Sequence, residues 1–364
     1  MVLNLLNKKP KTEALHEEAI SLLKDLIRIP SFSKEENMTA SVIEHFLSSK
    51  GIVTHRSRNN VWAFNRHYKP ALPTILLNSH HDTVKPNPAY TRDPFAPDET
   101  VGKLFGLGSN DAGGALVSLI AAFLYFHDSA DLSFNLVIAA TAEEEISGTQ
   151  GLELILPELG PLNFAIVGEP TGMHLAIAEK GLLVLDCLAL GVAGHAAREE
   201  GINAIYEAVE DMQWFRSYRF SKKSAWLGPV KMSVTMVKAG SQHNVVPAEC
   251  LFTVDVRLNE MYTHDEILET VKQHVKSKVT PRSVRLRPSF IAADHPIVRA
   301  GLKLGRKTYG SPTTSDQALF PGPSLKIGPG DSARSHAADE FIYIKEIQEG
   351  IDIYIKMLDQ VLHS

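Results

Sequence analysis

Short apolar runs that are followed directly by His, Asp or Glu constrain this chain more than any other feature of its sequence. Two of the runs, residues 75–77 and 135–140, are plain. Apolar runs of this length are typical of parallel strands that are buried on both faces. Ligands of open α/β sheets bind outside the carboxyl ends of the strands, so residues far apart in sequence would meet in one cleft. The sequence therefore predicts an α/β domain with a polar site at one edge of its sheet.

Five segments carry the candidate site residues. They are Asn78-Ser79-His80-His81-Asp82, Gly108-Ser109-Asn110-Asp111, Ala142-Glu143-Glu144-Glu145, Val167-Gly168-Glu169 and Ser335-His336. Imidazole and carboxylate donors without a thiolate suit zinc or a similar divalent ion. Each segment alone has a plainer alternative, which is a satisfied loop histidine, a Gly-rich turn, a solvated acidic run or a surface histidine. The prediction of a metal site therefore depends on the segments meeting.

Alternation along the first segment separates its three polar residues. His80 and Asp82 are two positions apart at a strand end, so their side chains point to the same side, and His81 points to the other. A metal-bound imidazole usually gives its second N–H to a carboxylate or a carbonyl, and Asp82 could supply that carboxylate. Adjacent acids after a buried strand can divide their roles, one as a ligand and the next as a general base.

The chain is long enough for two domains, and its rhythm changes in the middle. The 364 residues exceed the usual size of one core. Strands are predicted at 181–190, 230–237, 251–258 and 283–286, with helices at 202–215 and after Thr263, where Glu266 completes a capping box. This β-α-β-β-α-β order is the split βαβ, or ferredoxin-like, pattern. The α/β pattern then resumes with a helix at 296–309. We expect a catalytic domain of residues 1–175 and 290–364 that is interrupted by an inserted domain of residues 176–289.

Composition excludes some classes of partner. The net charge is −5 and no basic block is present, which argues against nucleic acid and against an anionic membrane surface. The start of the chain is not expected to act as a signal peptide. The apolar stretch 115–126 is too short to span a bilayer and is expected to be a buried helix. Cys187 and Cys250 lie in separate strand-like runs, which favours reduced core thiols and a cytoplasmic location.

Taken together, seven short motifs in order resemble the acetylornithine deacetylase/succinyl-diaminopimelate desuccinylase family of co-catalytic zinc amidohydrolases. The resemblance runs from about residue 12 to the last residues. It implies an α/β fold, namely a zinc-exopeptidase-like catalytic domain with a mixed sheet flanked by helices, and an inserted ferredoxin-like lid and dimerisation domain. It also implies two divalent metal ions, zinc foremost with cobalt as the alternative, and a homodimer formed through the inserted domain.

The resemblance assigns roles residue by residue. Asp111 looks like the bridging carboxylate, followed by a cis peptide bond to Ala112, and the other implied ligands are His80, Glu145, Glu169 and His336. Asp82 would orient His80, and Glu144 would be the general base. His195 would stabilise the oxyanion across the dimer, and Asn244 and Arg257 would bind a carboxylate. The Thr313-Thr314-Ser315-Asp316 turn resembles a segment near the substrate, which makes Ser315 and Asp316 candidate contacts.

The chain departs from the family pattern in two places. Ala196 follows His195 where the family usually has Ser, and Glu143-Glu144-Glu145 replaces the commoner Asp-Glu-Glu. Neither departure removes a residue with an implied role. Ala196 would alter only the contact beside His195.

The expected activity is hydrolysis of the amide bond of an N-acyl-L-amino acid. The polar turn at 313–316 suits acylated ornithine or citrulline, with an acetyl or a succinyl group, and so a role in arginine synthesis. A dipeptidase or carboxypeptidase of the same fold, or a general aminoacylase, is the alternative. A non-catalytic binding protein is disfavoured because Glu144 and all five ligand candidates are present.

Overall fold

The computed structural model describes residues 12–198 and 200–363, and these form two compact units. The first unit contains the described residues up to Ile177, together with Phe290–Tyr309 and the residues from Ser315 onward. The second unit contains Ala178–Ser289 and the short segment Gly310–Thr314. Residues 310–314 lie within the range 290–364 that was expected in the catalytic domain.

The helices and strands are numbered here in chain order. The helices are α1 Thr12–Ile27, α2 Asn37–Ser49, α3 Gly114–Phe126, α4 Leu152–Ile155, α5 Ala204–Ser217, α6 His264–His274, α7 Pro296–Lys303 and α8 Ile344–Leu362. The strands are β1 Thr54–Ser57, β2 Asn60–Phe64, β3 Thr74–His80, β4 Asp98–Thr100, β5 Lys103–Phe105, β6 Asn135–Thr141, β7 Leu162–Val167, β8 Leu175–Glu179, β9 Gly181–Leu190, β10 Gly194–His195, β11 Lys231–Ala239, β12 Val245–Val246, β13 Glu249–Leu258, β14 Lys278–Pro281, β15 Ser289–Phe290, β16 Thr308–Ser311, β17 Ser324–Lys326 and β18 Phe341–Tyr343.

A mixed sheet forms the centre of the first unit, and its strands run in the order β1-β2-β6-β3-β7-β17-β8. Strand β3 is parallel to both β6 and β7, whereas β2 is antiparallel to β6. Every residue of β3 and β6 is buried, as the apolar runs predicted. The register places His80 beside Thr141 and Asn78 beside Val167, so the carboxyl ends of β3, β6 and β7 meet at one edge.

Helices cover the sheet and complete the main core. Helix α3 carries almost only buried side chains and packs with α1 and α8 in the largest hydrophobic cluster. Residues Ser109–Phe126 are long and apolar enough to cross a membrane, but 83% of this stretch is buried within the protein. That burial is typical of a central core helix, which matches the prediction for residues 115–126. The predicted fold class is confirmed.

The second unit is a four-stranded antiparallel sheet with two helices. The strand order β11-β13-β9-β14 and the sequence order β9-α5-β11-β13-α6-β14 are those of the predicted split βαβ pattern. Buried and half-buried residues alternate along β9, so one face of the sheet packs on its core. The capping box of Thr263 and Glu266 is present. Among the strands of the described residues, β11 pairs only with β13 in this sheet and is therefore an edge.

One predicted strand lies elsewhere in the structure, and one predicted helix is too long. The fourth strand of the second unit is β14, not residues 283–286, and it ends at Pro281, which has no N–H to continue the ladder. The helix predicted at 296–309 stops at Lys303. Gly305 follows it with φ +76, a left-handed conformation that ends helices, and the chain continues into β16.

Candidate metal centre and active site

His80 stands at the end of β3 with one ring nitrogen engaged and the other directed at carboxylates. Its Nδ1 lies 3.0 Å from the carbonyl oxygen of Asp82, and an Nδ1–H donated to that oxygen would leave Nε2 unprotonated in a neutral ring. Nε2 is buried and, within the described residues, has no hydrogen-bond partner. It lies 3.5 Å from Asp111 Oδ1 and 3.8 Å from both Glu144 Oε2 and Glu169 Oε1.

Asp82 faces His80 with both its backbone carbonyl and its carboxylate. Its Oδ1 lies 3.4 Å from His80 Nδ1, but the closer partner of that nitrogen is the Asp82 carbonyl. The carboxylate also accepts the backbone N–H groups of Glu144 and Glu145, at 3.0 and 3.1 Å, and the Ser33 hydroxyl at 2.7 Å. Burial raises the pKa of Asp82, but the hydrogen bonds from His80 and Ser33 outweigh it and hold the pKa below its usual value. One carboxylate therefore fixes the turn that carries the predicted base and a predicted ligand.

Asp111 lies in the tight turn Ser109–Gly113 that precedes α3. Gly108, with φ +75, allows the chain to enter this turn, and the Asp111–Ala112 peptide bond is cis, as the family resemblance implied. The two carboxylate oxygens face different histidines. Oδ1 is 3.5 Å from His80 Nε2, and Oδ2 is 3.7 Å from His336 Nε2. This divided orientation is the one that a bridging ligand requires.

The three consecutive glutamates after β6 separate into three environments. Glu143 has φ +57 and turns its carboxylate back to the backbone N–H of Gln150. Glu144 points toward His80, and Glu145 lies 3.0 Å from His336 Nε2. Burial raises the pKa of Glu144 well above its usual value; the Glu169, Asp316 and Glu145 carboxylates add to this rise, while His80 opposes it. The alternative of a solvated acidic run is therefore wrong.

His336 is the most exposed of the predicted ligands, with 54% of its side chain accessible. It has φ +58, and its carbonyl accepts a 3.3 Å hydrogen bond from Asn87 Nδ2. The hydrogen bond to Glu145 raises the pKa of His336 to about 9.

Five predicted ligands thus form two groups that share one member. Ligand atoms of His80, Asp111 and Glu169 lie within 4.8 Å of one another, and so do those of Asp111, Glu145 and His336. The unpartnered His80 Nε2 and the concentration of carboxylates around it fit divalent cations. Each group has three donors, so a tetrahedral ion would keep a position open for water or substrate, as catalytic zinc sites do.

The predicted site residues of the second unit lie in two places. His195 on β10 is adjacent to Asn244, because the Ala196 N–H donates to the Asn244 carbonyl at 3.0 Å. Arg257 clasps both oxygens of Asp255 on the same strand, at 2.9 and 3.1 Å. Its third nitrogen, Nη1, lies 3.4 Å from the Thr314 hydroxyl. The catalytic and carboxylate-binding roles of these residues stay predictions.

Ser315 and Asp316 are buried, with 5% and 3% of their surface exposed. The Asp316 carboxylate accepts hydrogen bonds from Asn78 Nδ2 at 2.8 Å and Thr141 Oγ1 at 2.7 Å. It therefore ties the ends of β3 and β6 together. Burial raises the pKa of Asp316. A direct contact of either residue with substrate stays a prediction.

Sequence reasoning missed two buried glutamates that support the site. Glu36 accepts the Glu143 N–H at 3.2 Å and an N–H of Asn59 at 2.6 Å. Glu340 accepts three backbone N–H groups around Asp111, and burial raises its pKa to about 8. Glu36 looked like an ordinary residue at a helix start. The position of Glu340 four residues after His336 was visible, but sequence alone does not show which acid of a loop turns inward.

Comparison with known proteins agrees with this geometry. Residues 76–360 match the model of peptidase family M20/M25/M40. The chain is 30% identical to acetylornithine deacetylase of Photorhabdus laumondii, over 78% of this chain and 79% of that protein. It is 25% identical to succinyl-diaminopimelate desuccinylase of Acidiphilium cryptum, over 94% and 98%.

Solved structures show the same fold at lower identity. Aminopeptidase PepT from Bacillus cereus has a TM-score of 0.75 at 16% identity, covering 95% of this chain and 98% of that one. The YXEP protein of Bacillus subtilis, described as a dinuclear metal binding peptidase, has a TM-score of 0.71 at 17% identity and covers 96% and 99%. Because the family model matches most of the chain and the ligand groups are in place, the chain belongs to the M20/M25/M40 peptidase family and is a metal-binding hydrolase.

Proposed function

We propose that this enzyme hydrolyses the amide bond of an N-acyl-L-amino acid. The observation that carries the proposal is the pair of ligand groups sharing Asp111, with the Glu144 carboxylate beside them. The relatives named acetylornithine deacetylase and succinyl-diaminopimelate desuccinylase support this bond type.

Two divalent ions would be held by these groups, one by His80 and Glu169, the other by Glu145 and His336, with Asp111 between them. The nitrogen and oxygen donors suit zinc, and cobalt could take its place. When bound, such ions lower the pKa of water and polarise a carbonyl group.

Glu144 would move the proton during hydrolysis. Its carboxylate is nearly buried, and it does not fix a backbone turn as the Asp82 carboxylate does. It would take a proton from the attacking water and pass it to the nitrogen of the leaving amine as the C–N bond breaks. A raised pKa makes the carboxylate a stronger base for the first transfer, and the carboxyl group then holds the proton until the amine takes it. His195 would donate a hydrogen bond to the carbonyl oxygen as charge develops there.

A substrate carboxylate would bind to Asn244 and Arg257. Arginine is the natural partner of a carboxylate, and the ion pair with Asp255 keeps the guanidinium in one orientation. The hydroxyls of Thr313 and Thr314 suit a polar side chain better than an apolar one. We therefore place N-acetylornithine or N-acetylcitrulline first, with a role in arginine synthesis.

A second candidate substrate carries an acidic acyl group such as succinyl. Lys231 lies opposite Arg257 across strands β11 and β13. Burial lowers the pKa of Lys180, and the positive charges of Lys231 and Arg257 lower it further. Lys180, Lys231 and Arg257 thus place three basic side chains in one part of the second unit, where Asp255 is ion-paired to Arg257. A substrate with two carboxylates would suit this excess of positive charge.

A substrate panel distinguishes these candidates. We expect release of free amino acid, measured with ninhydrin, from N-acetyl-L-ornithine and N-acetyl-L-citrulline in preference to N-acetyl-L-methionine and N-acetyl-L-phenylalanine. A higher kcat/KM for N-succinyl than for N-acetyl substrates would favour the second candidate. The highest kcat/KM on N-acetyl-L-methionine would indicate a general aminoacylase, and cleavage of dipeptides alone would indicate a dipeptidase.

We also propose that the enzyme is a homodimer formed through the second unit. Strand β11 is a sheet edge, and unpaired edges need to be covered. Met236 and Val237 on this strand are 62% and 57% exposed, and Tyr206 and Val209 on α5 are 71% and 51% exposed. Edge pairing of two copies would bury these apolar side chains and create a twofold interface.

Mixing two inactive variants tests whether His195 acts across this dimer. His195→Ala and Glu144→Gln are each expected to be inactive alone. After subunit exchange, half of the dimers would be mixed, and each would contain one intact site, so activity should recover to about a quarter of the parent value. Exchange is verified with differently tagged subunits. Absence of recovery despite mixed dimers would place His195 in its own subunit's site or outside catalysis.

We place the enzyme in the cytoplasm, as a protein that acts on small molecules rather than on nucleic acid or membranes. Cys187 and Cys250 are free and buried, and burial raises the pKa of the Cys187 thiol to about 12. Inert reduced thiols of this kind are usual in reducing compartments.

A further inference from the structure

The two chain segments that carry Asp111 and His336 are joined by several side-chain hydrogen bonds. One segment is the turn Ser109–Gly113, and the other is the loop of residues 331–340, which we call the histidine loop. They are separated by more than two hundred residues in sequence, yet each supplies a ligand to the second ligand group. The second ligand group therefore requires these two segments to lie side by side.

Glu340 makes the most concentrated of these contacts. Its Oε1 accepts the backbone N–H groups of Asn110 and Asp111, at 2.8 and 3.0 Å, and its Oε2 accepts that of Gly108 at 3.1 Å. The residue is 2% exposed. Burying a carboxylate is costly unless hydrogen bonds compensate, and here three amides of one turn compensate a single side chain.

Asn110 makes a second set of contacts between the same segments. Its Oδ1 accepts the Asp331 N–H at 3.0 Å, and its Nδ2 lies 3.1 Å from the Asp331 carbonyl and 3.4 Å from Ser335 Oγ. Gly330 makes this approach possible, because a Cβ there would lie 2.5 Å from Asn110 Oδ1.

The outer side of the histidine loop is fixed as well. Asp339 accepts the backbone N–H groups of Thr91 and Arg92, both at 2.9 Å. The adjacent acids thus face opposite ways, Asp339 toward the outer segment and Glu340 toward the turn of Asp111. His336 lies between the Asn110 and Glu340 contacts, on a loop whose other residues range from exposed to buried.

We propose that Glu340 is a positioning residue that holds the Asp111 turn against the histidine loop, so that Asp111 and His336 form one preassembled half of the metal centre. This inference rests on the proposed two-metal function. Groups that orient metal ligands typically change metal affinity by about 10- to 100-fold when they are removed. Glu340 does not touch a ligand side chain and acts through the backbone of the turn.

Glu340→Gln tests the proposal with little change in shape. A glutamine oxygen can accept two of the three N–H groups, but its NH₂ then faces the third N–H, donor against donor. We expect the parent protein to bind two zinc ions in a competition titration against a chromophoric chelator. The variant should bind the weaker ion about 10- to 100-fold less tightly. The rise in melting temperature that zinc produces should shrink.

Two further variants keep the test decisive. Glu349→Gln makes the same chemical change on the exposed face of α8, where the acid forms an ion pair with Lys345, and should leave zinc affinity unchanged. Asn110→Ala removes the other set of contacts and should weaken the same ion; it carries the test if Glu340→Gln does not fold by circular dichroism.

The outcomes separate this inference from the function on which it rests. Parent-like affinity for both ions in folded Glu340→Gln, with only a lower melting temperature of the metal-free protein, would make Glu340 a purely structural residue and overturn the proposal. Binding of fewer than two ions by the parent protein would overturn the two-metal function itself, and the positioning role with it.

Discussion

Glu144→Gln is expected to reduce kcat by about 10²–10⁴-fold while leaving the fold and the bound metal in place. The amide cannot accept a proton from water, and it cannot return one to the leaving amine, so both steps lose the same group. The loss should therefore lie near the upper end of this range. Neither ligand group includes Glu144, so metal content measured by elemental analysis should match that of the parent.

Glu143→Gln is the matched control for this prediction. It makes the same change one residue earlier, on a carboxylate that faces the Gln150 N–H rather than His80. We expect its kcat to stay within about threefold of the parent value, since the group takes no part in proton transfer. If Glu144→Gln keeps more than about a tenth of the parent kcat, the base must be another residue.

Arg257→Ala is expected to weaken transition-state binding by about 2–5 kcal/mol, which would lower kcat/KM by roughly 30- to 5,000-fold. Asp255 holds the guanidinium group of Arg257 in place, and Nη1 of that group lies near the Thr314 hydroxyl. Loss of the guanidinium would leave a substrate carboxylate without its charged partner. The measurement is the kinetics of N-acyl-amino-acid hydrolysis by variant and parent.

Arg282→Ala provides the comparison for Arg257. Arg282 also clasps an aspartate of the second unit, Asp186, with two hydrogen bonds of 2.8 and 2.9 Å, but has no predicted substrate role. Its loss should leave kcat/KM nearly unchanged. Equal effects of the two substitutions would mean that Arg257 only stabilises the second unit.

Much of the site could be predicted from the ends of strands. Buried apolar runs mark the strands of the sheet, and the carboxyl ends of these strands meet at one edge. His80, Glu144 and Glu145 each follow such a run. The structure places His80 and Glu145 in ligand groups with Asp111, and Glu144 lies 3.8 Å from His80. Alternation also separated His80 from His81, whose ring turns away to contact Thr39 and Asn59. His336 follows a loop rich in Gly and Pro rather than such a run, and taken alone it would be a surface histidine more often than a ligand.

The remaining features depend on tertiary contacts that leave little trace in sequence. Asp82 was expected to hold His80 through its carboxylate, which lies 3.4 Å from His80 Nδ1; the closer contact of its backbone carbonyl and its hydrogen bonds to two amides were not foreseen. The burial of Asp316 depends on Asn78 and Thr141, donors on two other segments. Local patterns do not report such long-range pairing, and this is also why Glu340 was missed.

The number of metal ions per chain tests the central claim most directly. The metal-free protein should be inactive, and stepwise addition of zinc, followed by elemental analysis and by hydrolysis of N-acetyl-L-ornithine, should give full activity at about two ions per chain. That result would agree with Asp111 as a ligand shared by two ions. Full activity at one ion per chain, or activity without any metal, would contradict the account.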